Sequence, residues 1–193
     1  MSEKHFNAGN VFGRVVDEIE RKTSQGGKEF ISFAVSVAGR KCGGVKAYCR
    51  MWDAERFEPF LDALSGNPGM KVWLRGYFGQ YWNDKNEVMS NFTMFEWSER
   101  DSEPRAAFIL KGVVDQAQKV RLGQRLLLTV ARDGAPKAET FELWCPAERL
   151  LDEARAGELI EVKGYVRQET PEDDYGGSGG PVRAYVDQLR VCA

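Results

Sequence analysis

The sequence predicts an all-β protein built as two tandem five-stranded barrels, each with one short helix. Three observations carry that prediction. Segments recur in the same order in the two halves, strands alternate apolar and polar residues, and each half has a helical stretch between its third and fourth strands. Gly13-Arg14-Val15-Val16-Asp17 returns as Gly112-Val113-Val114-Asp115. "YCRMWDAERF" (48–57) returns as "FELWCPAERL" (141–150), and "VWLRGYF" (72–78) as "IEVKGYV" (160–166). The joint, "SERDSEPR" (98–105), is polar and charged, as a linker should be. The expected division is a first domain at 1–99 and a divergent copy at 106–193, both of ordinary domain size.

Each element has a local reason. A first strand covers Val11–Asp17 and recurs at Ile109–Asp115. "TSQGGK" (23–28) reads as a hairpin, because Gly-Gly supplies positive φ. The second strand alternates, with Ile31, Phe33, Val35 and Val37 inward against Phe30, Ser32, Ala34 and Ser36; its counterpart has Leu126, Leu128 and Val130. A third strand covers Val45–Trp52. Asp53 is then placed to cap a helix whose Phe57, Phe60, Leu61 and Leu64 fall at helical spacing, with Pro59 keeping it short or delaying its start. A fourth strand covers Met70–Arg75. The fifth runs from about Phe92 to Trp97, echoed by Val186–Val191. Glycines 13, 76, 112 and 164 suit strand bends. Five strands with a helix between the third and fourth is the order of an OB-fold, a small Greek-key barrel that commonly binds oligonucleotides or oligosaccharides.

Composition narrows the function. The 193 residues include no apolar run near the length of a membrane span, and "MSEKHFNAGN" lacks the layout of a signal peptide, so a cytoplasmic protein is expected. Cys42, Cys49, Cys145 and Cys192 are widely spaced and read as reduced thiols. His5 is the lone histidine, in a terminal stretch expected to be flexible, and no metal-ligand spacing or cofactor motif occurs. Asp173 and Asp174 sit in a glycine-rich loop, where a solvated surface is the expected role. No nucleophile, base or phosphate-loop motif supports an enzyme, so a non-enzymatic protein is expected. Net charge is −2. Residues 1–100 hold 14 basic and 13 acidic side chains, against 13 and 16 in residues 101–193, which makes the first half the better candidate for a polyanion.

The repeat also sorts side chains by face. Trp73 matches Glu161, Phe30 matches Arg125, Tyr48 matches Thr140 and Arg50 matches Glu142. A position that takes a charge in its copy faces outward. Phe30, Tyr48, Trp52 and Trp73 are therefore expected outside, among Lys46, Arg50, Lys71 and Arg75. Tyr77, Tyr81, Trp82 and Lys85 are expected on the hairpin between strands four and five. Aromatics interleaved with cations suit single-stranded nucleic acid, whose unstacked bases lie on rings while cations follow the phosphates. Other roles are open for some of these. Trp97 reads as core; Trp52 and Trp144 could be plugs under the helix; Trp73 could anchor a protein interface.

Over about residues 10–97 the sequence resembles the bacterial single-stranded DNA-binding protein family. The resemblance rests on Gly13-Arg14-Val15, the apolar second strand, "YCRMW" followed by "AERFEPFL", "MKVWLRGYF" and "YWNDKNE". It implies base stacking on Tyr48, Trp52 and Trp82, and a role in DNA replication, repair and recombination. It further implies a homodimer presenting four OB domains, the second copy serving mainly assembly. The hairpin counterpart in that copy, "QETPEDDYGGSGGP" (168–181), is acidic, with Tyr175 its one aromatic. The sequence ends "QLRVCA" without the acidic tail usual in that family, so the partner-recruiting role of that tail is not expected. Two other functions remain open on the residues alone: a tandem OB-fold scaffold whose aromatic face is a subunit interface, and single-stranded RNA as the ligand.

Overall fold

The computed structural model describes residues 5–39, 44–99, 101–132, 135–149, 154–168 and 182–192. The chain is mostly strand. β1 (Phe6–Thr23), β2 (Glu29–Val37), β3 (Val45–Trp52), β4 (Lys71–Trp82) and β5 (Val88–Ser98) make the first half, with α1 (Ala54–Gly66) between β3 and β4. β6 (Arg105–Val120), β7 (Gly123–Val130), β8 (Glu139–Pro146), β9 (Leu159–Gln168) and β10 (Val182–Val191) make the second. There a 3₁₀ turn at Ala147–Arg149 stands where α1 begins in the first.

Hydrogen-bonded neighbours run β1-β2-β3-β5-β4 and back to β1, so the first five strands form a closed circuit of pairings. The second five do the same in the order β6-β7-β8-β10-β9. β3 with β5 and β8 with β10 are the parallel pairs; the other pairings are antiparallel. A ladder from Phe6↔Lys111 to Phe12↔Arg105 joins β1 to β6 and makes one ten-stranded sheet.

The repeated glycines mark equivalent close approaches. A Cβ on Gly13 would lie 2.2 Å from the Ser36 carbonyl oxygen, and one on Gly112 would lie 2.3 Å from that of Thr129. Gly76 and Gly164 meet Thr93 and Tyr185 in the same way, at 2.0 and 2.3 Å. No other residue fits where two strands pass that closely.

Several elements differ from the sequence expectation. β1 runs on to Thr23, because Glu20–Thr23 pairs with Glu29–Ser32 beyond a bulge as a ribbon around the "TSQGGK" turn, where Gly27 has φ 77°. β4 continues through Trp82, so Tyr77, Tyr81 and Trp82 are strand residues and the turn itself is 83–87. α1 spans 13 residues despite Pro59. The proline removes one backbone donor near the start of the helix, and burial of Phe57, Phe60 and Leu64 offsets that loss. Asp53 does not cap with its side chain. It adopts φ 70°, and its carbonyl accepts from the amides of Arg56 and Phe57 at 3.0 and 3.2 Å. Ala34 is buried although it lies opposite Tyr48 on the outward side of β2. Trp97 packs edge-on against Phe60 at 5.5 Å, whereas its counterpart Val191 is 38% exposed. His5 is tied down, its Nδ1 accepting from the Ala131 amide at 2.8 Å. The 168–181 loop, with Asp173, Asp174 and Tyr175, falls outside the described residues from 169 on, as does Cys42.

The two halves share one core. β4 leaves β1 after Gly9↔Gly76, and the Asn7 side chain takes over the pairing. Its amide donates to the Phe78 carbonyl at 2.8 Å and its oxygen accepts from the Phe78 amide at 3.0 Å. The Phe78 ring is thereby aimed between Phe92 of the first half, at 5.4 Å, and Phe108 and Phe141 of the second, at 4.5 and 5.6 Å. Phe78→Ala is expected to cost about 3–5 kcal/mol, with both halves unfolding in one guanidinium transition. Two separate transitions in the unsubstituted protein would contradict the shared core.

Candidate nucleic-acid interface

β3 alternates strictly. Val45, Ala47, Cys49 and Met51 are buried, and Lys46, Tyr48, Arg50 and Trp52 leave on the other side. The β2–β3 register sets Phe30 opposite Trp52, and their rings meet at 4.5 Å. Arg50 reaches the Phe30 ring at 5.9 Å and the Tyr81 ring at 5.8 Å. Its guanidinium thus links the outer side of β2–β3 to the far end of β4. Tyr48 is 48% exposed and Lys46 is exposed on the same strand. Trp52 therefore packs on Phe30 at the surface and is no plug under α1, where Phe33 and Trp97 meet Phe60.

Trp82 is 59% exposed at the tip of β4, and the turn behind it is held rigidly. The Asn83 side-chain oxygen accepts from the amides of Lys85 and Glu87, both at 2.9 Å, and its amide donates to the Glu87 carboxylate at 2.8 Å. Asn86 takes φ 60° to close the turn, and Lys85 projects from it, exposed. Asn83 is a positioning residue the sequence reading missed. The signal was present: an asparagine opening "NDKNE" is the usual start of an Asx turn.

Other expected members lie elsewhere. Lys71, Trp73 and Arg75 leave the outer side of β4, which β5 separates from β3. Trp73 is eight residues from Tyr81, about 26 Å along a strand at 3.3 Å per residue. Lys71 pairs with Asp101 and Arg75 with Glu96, each at 3.5 Å. Tyr77 lies against Phe95 at 5.2 Å and under the Arg132 guanidinium at 4.2 Å, in a cavity also lined by Thr140 and Phe141 of the second half. Its position is at the joint between the halves.

The matching surface of the second half is built differently. The strand registers set the Arg125–Glu142 ion pair where the first half has Ser32 and Tyr48, two residues along from the Phe30 and Arg50 that the sequence repeat matches to them. The Gln80 side chain grips the β8 backbone there, donating to the Glu142 carbonyl at 3.0 Å and accepting from its amide at 2.7 Å. This brings Trp82 across a cleft of about 300 Å³ from Trp144, with Arg125 and Arg183 also in its walls.

Among the described residues no three His, Cys, Asp or Glu side chains gather to hold a metal, and no helix is long and apolar enough to cross a membrane. Burial raises the Cys49 thiol far above its ordinary range and pushes Cys145 up to about 11.

No family model matches the sequence, and no curated protein does. The solved structures give a likeness of fold, and it is that of a bacterial single-stranded DNA-binding protein. The wild-type single-stranded DNA binding protein from Thermus aquaticus superposes with a TM-score of 0.69 at 14% identity, covering 98% of this chain and 94% of that one. A deletion mutant of that protein gives 0.67 at 14% identity, covering 98% and 96%. The likeness takes in both halves.

The thiols give a pH prediction. A raised folded pKa keeps the thiol protonated in the native state, while the unfolded thiol ionises first, near 8.5. Stability should therefore fall as pH rises from about 9 through about 11. Replacing Cys145 by Ser should flatten that fall in denaturation midpoints, and an unchanged slope would contradict the assignment.

Proposed function

We propose that the chain is a non-enzymatic, sequence-tolerant binder of single-stranded DNA, built from two tandem OB-fold barrels at 1–99 and 106–193. The carrying observation is the cluster on the outer side of β2–β3. Trp52 lies on Phe30, and Arg50 reaches both Phe30 and Tyr81 there, with Tyr48 exposed on β3. Rings that present a flat face beside a guanidinium match what a single strand offers: unstacked bases on a phosphate backbone. The closed circuits of five strands support the OB-fold reading, and the likeness to a DNA-binding protein of that name supports the ligand.

In this reading bases stack on Tyr48, Trp52 and Trp82. Phe30 supports the Trp52 ring. Arg50, Lys46 and Lys85 follow the phosphates. A duplex keeps its bases stacked inside and offers these rings nothing, so the preference for single strands follows from the site itself. The protein would serve wherever DNA is held single-stranded, in replication, repair and recombination. DNA and RNA differ at the 2′-hydroxyl, which stacking does not read; competition between the two polymers measures that choice.

Trp73 belongs to a second contact. Its neighbours Lys71 and Arg75 are already paired with acids, so that surface is neutralised and suits protein better than phosphate. A homodimer presenting four OB domains through the outer side of β4 fits it. Trp73→Ala should shift sedimentation toward monomer while leaving DNA affinity per chain intact; loss of DNA affinity with no change of mass would place Trp73 in the DNA site instead.

Two further outcomes test the site. Trp82→Ala should weaken binding of a labelled homopolymer by about 1–3 kcal/mol, the worth of one stacked base. Unchanged anisotropy curves would remove Trp82 from the site. Affinity should fall linearly with salt on a log–log plot; a flat plot would rule out phosphate contacts.

A further inference from the structure

We propose that Arg183 withholds a second base-stacking position, at Trp144, and so makes the second half a latent extension of the DNA path. The inference rests on the proposed function and deepens it. Trp144 stands in the second half where Arg50 stands in the first, since Trp144 pairs with Tyr185 beside Gly164 and Arg50 with Thr93 beside Gly76. In β2–β3 Ser32 stands opposite Arg50, and in β7–β8 Arg125 stands opposite Trp144. Trp144 also lies across the cleft from Trp82, on the route a strand would take beyond the hairpin.

The ring face itself is occupied. The Arg183 guanidinium lies over the Trp144 ring, 4.4 Å from its centroid. The first half has no arginine at the equivalent place. Gly76 pairs with Met94 and Gly164 with Val186, so three residues back along each strand Asn91 stands where the second half has Arg183. The other cation of this surface, Arg125, is paired with Glu142. A planar guanidinium on an indole uses the same face, at the same kind of separation, that a nucleobase would use.

The energies set the order of events. A partly exposed cation–π contact is weaker than base stacking, so a base can displace Arg183 once the rest of the strand is anchored. The strand must still give up that contact's worth to do so. The first half therefore fills first, and a longer strand recruits Trp144 with a smaller gain than Trp52 provides.

The test compares Arg183→Asn, which installs the residue of the first half, with the unsubstituted protein. The probes are a homopolymer long enough to span both halves and a short oligomer that fills only the first. R183N should bind the long strand about two- to fivefold tighter, the worth of the released contact. Short-oligomer affinity should not change, and adding Trp144→Ala should cancel the gain. If R183N does not fold, R183Q, which keeps an aliphatic stem, is read in the same way. Weaker or unchanged binding of the long strand by R183N would overturn the proposal and make Arg183 a phosphate contact or a bystander. If the unsubstituted protein binds neither probe, the proposed function falls, and this inference with it.

Discussion

Phe78 and the asparagine that holds it set the geometry of everything described above. β4 can serve both halves only because it parts from β1 at Gly76, and its backbone does not go unpaired there because Asn7 supplies a donor and an acceptor to the Phe78 peptide. An unsatisfied buried peptide group at that place would cost more than most single contacts return. With it satisfied, Phe78 seats among Phe92, Phe108 and Phe141, and the strand continues toward the second half. Two residues further on, Gln80 holds the Glu142 backbone, and two beyond that Trp82 ends the strand over Trp144. The hairpin of the first half is thus held against the surface of the second by core packing and hydrogen bonds.

That arrangement explains how one repeat yields two unlike surfaces. Matching strand positions carry Ser32, Tyr48 and Arg50 in one half and Arg125, Glu142 and Trp144 in the other. In the first, a cation lies on rings and an aromatic cluster faces outward. In the second, one cation is paired with a carboxylate and another lies on the ring. The two surfaces thus diverge over strands whose inward side chains are buried and apolar in both halves. The overall acidity of the chain belongs mainly to its second half, where the charges offset one another.

Much of the fold was legible in the sequence because it follows from local periodicity. Ile31, Phe33, Val35 and Val37 are buried as their alternation requires, and glycines 13, 76, 112 and 164 fall at matching close approaches. The parts that were not legible have physical reasons. Glu20–Thr23 lacks an apolar face, because it pairs with β2 as a two-stranded ribbon, so no alternation marks it as strand. Alternation also states which side chains leave a strand outward but not in which direction that outward side points. Trp73 and Tyr48 share a pattern, yet β5 lies between their strands, and the closed circuit turns them away from each other. Tyr77 reads as a free aromatic until Arg132, 55 residues later, is brought over it. Of the candidate site, the β3 residues and Trp82 were visible as exposed aromatics. The support from Asn83, Gln80 and Asn7 depends on contacts that span a turn or the whole chain.

In the proposed function, tryptophans of this protein lie against the bases of a single strand. Intrinsic tryptophan fluorescence, followed while homopolymeric single-stranded DNA is added and again with a duplex of equal length, tests it directly. Strong quenching by the single strand alone, reversed by added salt, is the expected result. Equal quenching by duplex, or none by either with no retardation on a gel, would contradict it and leave the aromatic face of β2–β3 as a surface for protein.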